Sequence, residues 1–90
     1  MKMLEVEGFV WQEGKVFVSY CPELDVSSCG DTVEEVRANL RSALRLFVEE
    51  TERMGILAAI LEESGFKNTT QGWQSPRMVV TELIPVPVRR

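Results

Sequence analysis

Five carboxylates crowd into and just after one short loop: Glu23, Asp25, Asp31, Glu34 and Glu35. Oxygen ligands of this kind hold divalent cations, as in two-metal nucleases. The same residues also make a negative binding surface, or serve only solubility and helix capping. Asp31 and Glu35 are already explained as helix-start residues. Cys21 and Cys29 are the only cysteines, and histidine is absent. Two thiolates do not close a four-ligand zinc site unless a dimer shares it. They read first as free thiols behaving as small hydrophobes, with a disulfide as the alternative. Ser27, Ser28 and Ser42 have no imidazole to activate them, and a lysine such as Lys15 or Lys67 would have to serve instead. Arg37, Arg41 and Arg45 recur at helical spacing. They are either a phosphate grip or a solvated face laced with ion pairs to residues such as Glu34 and Glu49. Taken together, these residues imply binding rather than catalysis, with no catalytic residue, metal or cofactor expected.

Bulk properties narrow the partners. Ninety residues support one domain and one core. Acids outnumber bases 14 to 10, a net charge of −4. This argues against non-specific binding to nucleic acid, which needs clustered positive charge. The longest apolar run, 55–61, is far short of the ~20 residues that cross a bilayer, so no membrane association is expected. The acidic N-terminus does not read as a signal peptide, and a cytoplasmic protein is expected.

The elements that would position these residues are legible. Residues 2–11 favour a strand with Leu4, Val6 and Val10 on one face and Met3, Glu5, Glu7, Phe9 and Trp11 on the other. Phe9 and Trp11 are therefore either exposed aromatics that mark a protein contact, or rings buried by a twist or bulge. Gln12–Lys15 suits a hairpin turn, and 15–20 a second strand. Pro22 interrupts, and 26–29 forms a short third strand. Thr32-Val33-Glu34-Glu35 is a capping box that opens a long helix running to about Met54. Val33, Val36, Leu40, Ala43, Leu44 and Phe47 form its apolar stripe. Gly55 breaks that helix, and 56–64 makes a shorter one, stopped by Gly65 with Phe66 folding back on its last turn. Residues 67–76 read as a polar loop, and 77–84 as a final strand lying beside the first. The order β-β-(β)-α-α-β predicts a single two-layer α+β domain over 1–90, an antiparallel sheet of three to four strands on one long and one short helix.

The run Pro22-Glu23-Leu24, then Gly30-Asp31-Thr32-x-Glu34-Glu35, then Asn39 and Ala43, resembles the HicB-like antitoxin family of type II toxin–antitoxin systems. The likeness covers roughly residues 2–50. It implies a partial ribonuclease H-like domain that neutralises a small basic, mRNA-cleaving, HicA-like toxin by covering its active site. Three features depart from the family pattern. The stretch after Leu24 is one residue shorter, Val36 stands for a frequent alanine, and Ser42 stands for a frequent glutamate. Nothing after residue 55 reads as a ribbon-helix-helix or helix-turn-helix, so this is a short form and direct DNA binding is not expected. The partner-binding residues expected on this reading are Glu23, Asp25, Asp31, Glu34 and Glu35, supported by Phe9 and Trp11. A second expectation is a stand-alone homo-oligomeric assembly domain, a dimer or tetramer, that hides leftover apolar surface such as Leu46 and Val48.

Overall fold

The computed structural model describes residues 3–76 and 80–89. It is an α+β fold of six strands and two helices in two three-stranded sheets. The strands are β1 (Met3–Leu4), β2 (Phe9–Glu13), β3 (Val16–Cys21), β4 (Val26–Gly30), β5 (Lys67–Thr69) and β6 (Gly72–Gln74). The helices are α1 (Val33–Arg53) and α2 (Leu57–Glu63). One sheet has the antiparallel order β2-β3-β4. The other has the order β1-β6-β5, in which β6 runs parallel to β1 and antiparallel to β5.

The first strand expected over 2–11 is broken at Glu5–Gly8, so its halves join different sheets. Two contacts account for the break. The N–H of Glu7 donates to the Glu23 carboxylate at 2.7 Å instead of to a neighbouring strand. A Cβ on Gly8 would stand 3.0 Å from Leu40 Cδ2, so the backbone sits directly under α1.

Both helices end as the sequence requires. Thr32 Oγ1 accepts the Glu35 N–H at 3.0 Å, which is one of the two bonds of the expected capping box. The Glu35 side chain does not return to Thr32. Its Cγ instead lies against Gly30, where an added Cβ would also meet the backbone of Val36. At the C-terminus of α1, Ile56 N–H reaches Thr51 O and Gly55 N–H reaches Glu52 O, with Gly55 at φ 74°. The same pair of bonds closes α2, from Phe66 to Leu61 and from Gly65 to Glu62. These are Schellman caps, and glycine takes the left-handed position at no steric cost.

The core lies where α1 and α2 meet the sheets. Cys21, Leu24, Leu40, Leu61 and Phe66 are buried together, with Leu4, Val6, Leu44, Phe47 and Trp73 partly buried around them. Phe66 and Leu61 belong to one cluster, the apolar contact that usually accompanies this cap. Val33 does not join the apolar stripe of α1; it is 40% exposed.

Two expectations about the C-terminal third are corrected. The polar loop expected over about 67–76 folds as the β5–β6 hairpin, pinned by Thr69. Its hydroxyl donates to Gly72 O at 2.7 Å and accepts the Gln71 N–H. β6 therefore takes the place beside the first strand that was expected of the final strand. That final strand was expected over about 77–84. Residues 77–79 lie outside the described residues, and 80–84 carry no strand.

Candidate interaction surface

Register decides which side chains share a face. In antiparallel pairs, residues directly opposite project to the same side. Ser19 pairs with Val10 and Ser28, and its hydroxyl donates to Val36 O in α1 at 3.2 Å. That row faces the helix. The neighbouring rows face away: Phe9–Tyr20–Ser27, Trp11–Val18–Cys29 and Glu13–Val16. No described element covers this outer face. Phe9 is 42%, Trp11 41% and Val16 41% exposed.

The rings of Phe9 and Trp11 are not buried by a twist or bulge. They stand side by side on the outer face. Trp11 Nε1 donates to Glu13 Oε1 at 2.9 Å, which fixes the indole on that side. Tyr20 OH donates to Asp25 Oδ1 at 2.9 Å, and this bond to a carboxylate holds the phenol pKa above its usual value. The face is thus an apolar strip of aromatic and valine side chains with Glu13 and Asp25 at its margins.

The five carboxylates do not converge. Glu23 and Asp25 lie in the β3–β4 turn, whereas Asp31, Glu34 and Glu35 lie beyond the far end of β4. A five-residue strand separates the two groups by about 16 Å. Glu23 is occupied by the Glu7 N–H and by a long contact from Cys21 Sγ at 3.8 Å. Asp25 sits at φ 55°, the left-handed turn position that aspartate tolerates better than most residues. Among the described residues no group of three or more His, Cys, Asp and Glu side chains is placed to hold a metal ion.

Cys21 and Cys29 are free thiols on opposite faces of the sheet. Cys21 is buried beside α1, and that burial is the main reason its thiol pKa is raised. Cys29 is exposed on the outer face.

Among the described residues none of Arg37, Arg41 and Arg45 makes an ion pair, so the stripe is not an ion-pair ladder. Among the described residues the ion pair on α1 joins Glu50 and Arg53, not Arg45 and Glu49. Arg37 and Arg41 instead border an open groove of about 420 Å³ between α1 and the first strand, floored by Val6, Val10, Leu40 and Leu44.

Sequence reasoning singled out Phe9 and Trp11 but missed Val16, Val18, Tyr20 and Cys29 as members of the same face. Their signal was the period-2 alternation of 16, 18 and 20, once Ser19 is taken to face the helix. Comparison with family models, with curated proteins and with solved structures finds no match to this chain.

Proposed function

We propose that the chain is a protein-binding module of the antitoxin kind, which docks a small basic ribonuclease through its outer sheet face and so blocks that enzyme. The observation that carries the binding role is the uncovered apolar strip of Phe9, Trp11, Val16, Val18 and Tyr20. Aromatic residues at this density, rimmed by polar groups, are the composition of a docking surface. The basic character of the partner follows from charge. The chain carries −4 overall, and Glu13 and Asp25 flank the strip. Complementary charge speeds encounter, while the desolvated rings hold the complex. The ribonuclease identity rests on the resemblance of the Pro22–Glu35 run to HicB-like antitoxins. Asp31, Glu34 and Glu35, at the other end of β4, would contribute through the long-range field rather than by direct contact.

The test is recovery of the tagged chain from its own cells at low and moderate salt. The expected result is a stoichiometric small basic protein whose RNA cleavage the chain suppresses, with suppression weakened by Phe9→Ser and Trp11→Ser. Recovery of the chain alone, or of a partner without RNA-cleaving activity, overturns the antitoxin reading.

A further inference from the structure

Val10 faces the helix side of its sheet, in the row with Ser19, yet it is 40% exposed. The reason is where α1 lies. It packs mainly on β4 and β3 and leaves the helix side of β2 open. The result is the groove of about 420 Å³ floored by Val6, Val10, Leu40 and Leu44. An apolar sheet face of this kind is stable when another element covers it.

β2 is also an outermost strand, and no described strand lies along its open side. The turn that follows fixes its hydrogen bonding. Glu13 and Val16 pair across the two-residue turn Gly14-Lys15, and the pair that closes such a turn exchanges both backbone bonds. Bonded and non-bonded pairs alternate, so Trp11 and Phe9 also bond β3. Val10 and Gln12 therefore turn their N–H and C=O groups to the open side. A chain laid along that edge gains main-chain bonds from Val10 and Gln12. Its side chain opposite Val10 projects to the same face as Val10, into the groove.

The rim of the groove says what kind of chain fits. Arg37 and Arg41 border it, and neither makes an ion pair, although acids outnumber bases 14 to 10. Arg41 has no carboxylate three or four residues away on its helix; those positions hold Arg37, Ala38, Leu44 and Arg45. Like charges one turn apart cost helix stability, and a bound carboxylate relieves that cost. Glu5 also lines the groove, but it pairs with neither arginine. The arginines are four residues apart, about 6 Å along the helix, close enough for one carboxylate to bridge them.

From these observations we infer that the free edge of β2 takes an extended acidic segment of another protein by strand addition. The segment's backbone pairs with Val10 and Gln12. An apolar side chain opposite Val10 enters the groove, and an aspartate or glutamate two residues away, on the same face, meets Arg37 and Arg41. A second copy does not serve through its own β2. Two-fold pairing of the two edges would bring both arginine pairs to the same side of the joined sheet, where they repel. A basic segment is repelled likewise, so the occupant differs in charge from the partner proposed for the outer face.

This inference is independent of the toxin-binding reading, and its test does not involve the toxin. The probe is the blocked peptide Ser-Asp-Thr-Val-Thr-Asp-Ser, which sets a valine between two aspartates on one face in either strand direction. It is titrated into the isotope-labelled full chain and followed by NMR. Binding is expected with Kd of about 2 mM or tighter. The Val10 and Gln12 amide signals should shift and their hydrogen exchange should slow, while the Trp11 indole signal on the outer face stays in place. Exchanging both peptide aspartates for asparagine is expected to weaken binding roughly tenfold, and so is Arg37→Ala with Arg41→Ala. Both arginines are exposed and without ion pairs, so the double variant should keep its circular dichroism spectrum. Methylating the peptide's backbone nitrogens should abolish binding. No binding at about 2 mM overturns the proposal, as does equal binding of the asparagine peptide. Shifts centred on the Trp11 indole also overturn it, and they leave the outer-face reading standing.

Discussion

The Glu23 carboxylate accepts the backbone N–H of Glu7 at 2.7 Å, joining the β3–β4 turn to the break in the first strand. The bond satisfies an amide that has left the ladder, and it holds the turn whose Leu24 plugs the core. Glu23 is thus a structural residue before it is a contact residue. Glu23→Ala is expected to lower stability by about 1 kcal/mol, the usual net worth of such a bond. That is a fall of about 4–8 °C in Tm for a domain of this size. Glu34→Ala, in an exposed first turn, is expected to change stability by less than about 0.5 kcal/mol. Thermal unfolding of both variants checks the contrast, and equal effects would remove the assigned role of Glu23.

Gly72 is the residue on which the parallel pairing of β1 and β6 depends. It sits at φ 141°, and a Cβ there would overlap the Met3 carbonyl oxygen. Gly72→Ala combines a forbidden backbone angle with a backbone clash that no rotamer relieves, and about 2 kcal/mol or more is expected. Gly14 provides the control. At φ 61° with nothing within 4 Å of an added Cβ, Gly14→Ala meets only the left-handed penalty, about 1 kcal/mol. Hydrogen exchange at Leu4 and Trp73 should rise selectively in Gly72→Ala, and a uniform rise would show that the hairpin does not open separately.

Much of the fold was legible because local chemistry agreed with the tertiary outcome. Thr32, Gly55 and Gly65 mark helix ends through bonds that involve only their near neighbours, and α1 and α2 fall within a residue or two of expectation. The outer face was half legible. Phe9 and Trp11 stood out on the otherwise polar side of the first strand, but the second strand, 15–20, carried no assigned face until register placed Val16, Val18 and Tyr20. The break at Glu5–Gly8 was not legible, since its causes are a carboxylate 16 residues away and a leucine on α1. The β5–β6 hairpin was missed because Lys67-Asn68-Thr69 and Gly72-Trp73-Gln74 are short and polar. Their pairing depends on β1 rather than on strand propensity. The alternation of 78–84 was read as a strand, although residues 80–84 have no described strand beside them.

The thiol and phenol shifts give a pH dependence with a definite sign. Cys21 has its pKa raised above the ordinary 9.0, chiefly by burial. Tyr20 has its pKa raised above 10.0, chiefly by its hydrogen bond to Asp25. In both cases the folded state favours the protonated form more than the unfolded state does. Their stabilisation is fully present below about pH 9 and is lost as pH rises through the folded-state values. The denaturant midpoint should stay flat through these groups from pH 7 to 8 and fall as pH rises above about 9. Cys21→Ala should shallow the fall, and an unchanged slope would show that Cys21 ionisation is not coupled to unfolding. The cysteines should also separate chemically. At pH 8 a thiol reagent should modify Cys29 quickly and Cys21 only after denaturation, because one is exposed and the other buried.

The outer face makes the last prediction, because folding and binding should separate there. Phe9 and Trp11 lie opposite Tyr20 and Val18, so truncating either removes one cross-strand contact, worth about 0.2–1 kcal/mol. Neither ring belongs to the buried cluster, so Phe9→Ser and Trp11→Ser should leave the unfolding transition cooperative and shifted by only a few degrees. Toward a docked protein the same rings would be central, and central aromatic anchors cost about 2 kcal/mol or more on truncation, roughly 30-fold in Kd. Exchanging Glu13 and Asp25 for neutral residues should act differently, slowing association mainly at low salt and leaving dissociation almost unchanged. Titration calorimetry and stopped-flow mixing with the co-purifying protein distinguish these effects. If Trp11→Ser unfolds the chain, the ring is part of the core. If Trp11→Ser folds and binds with unchanged affinity, the partner docks elsewhere.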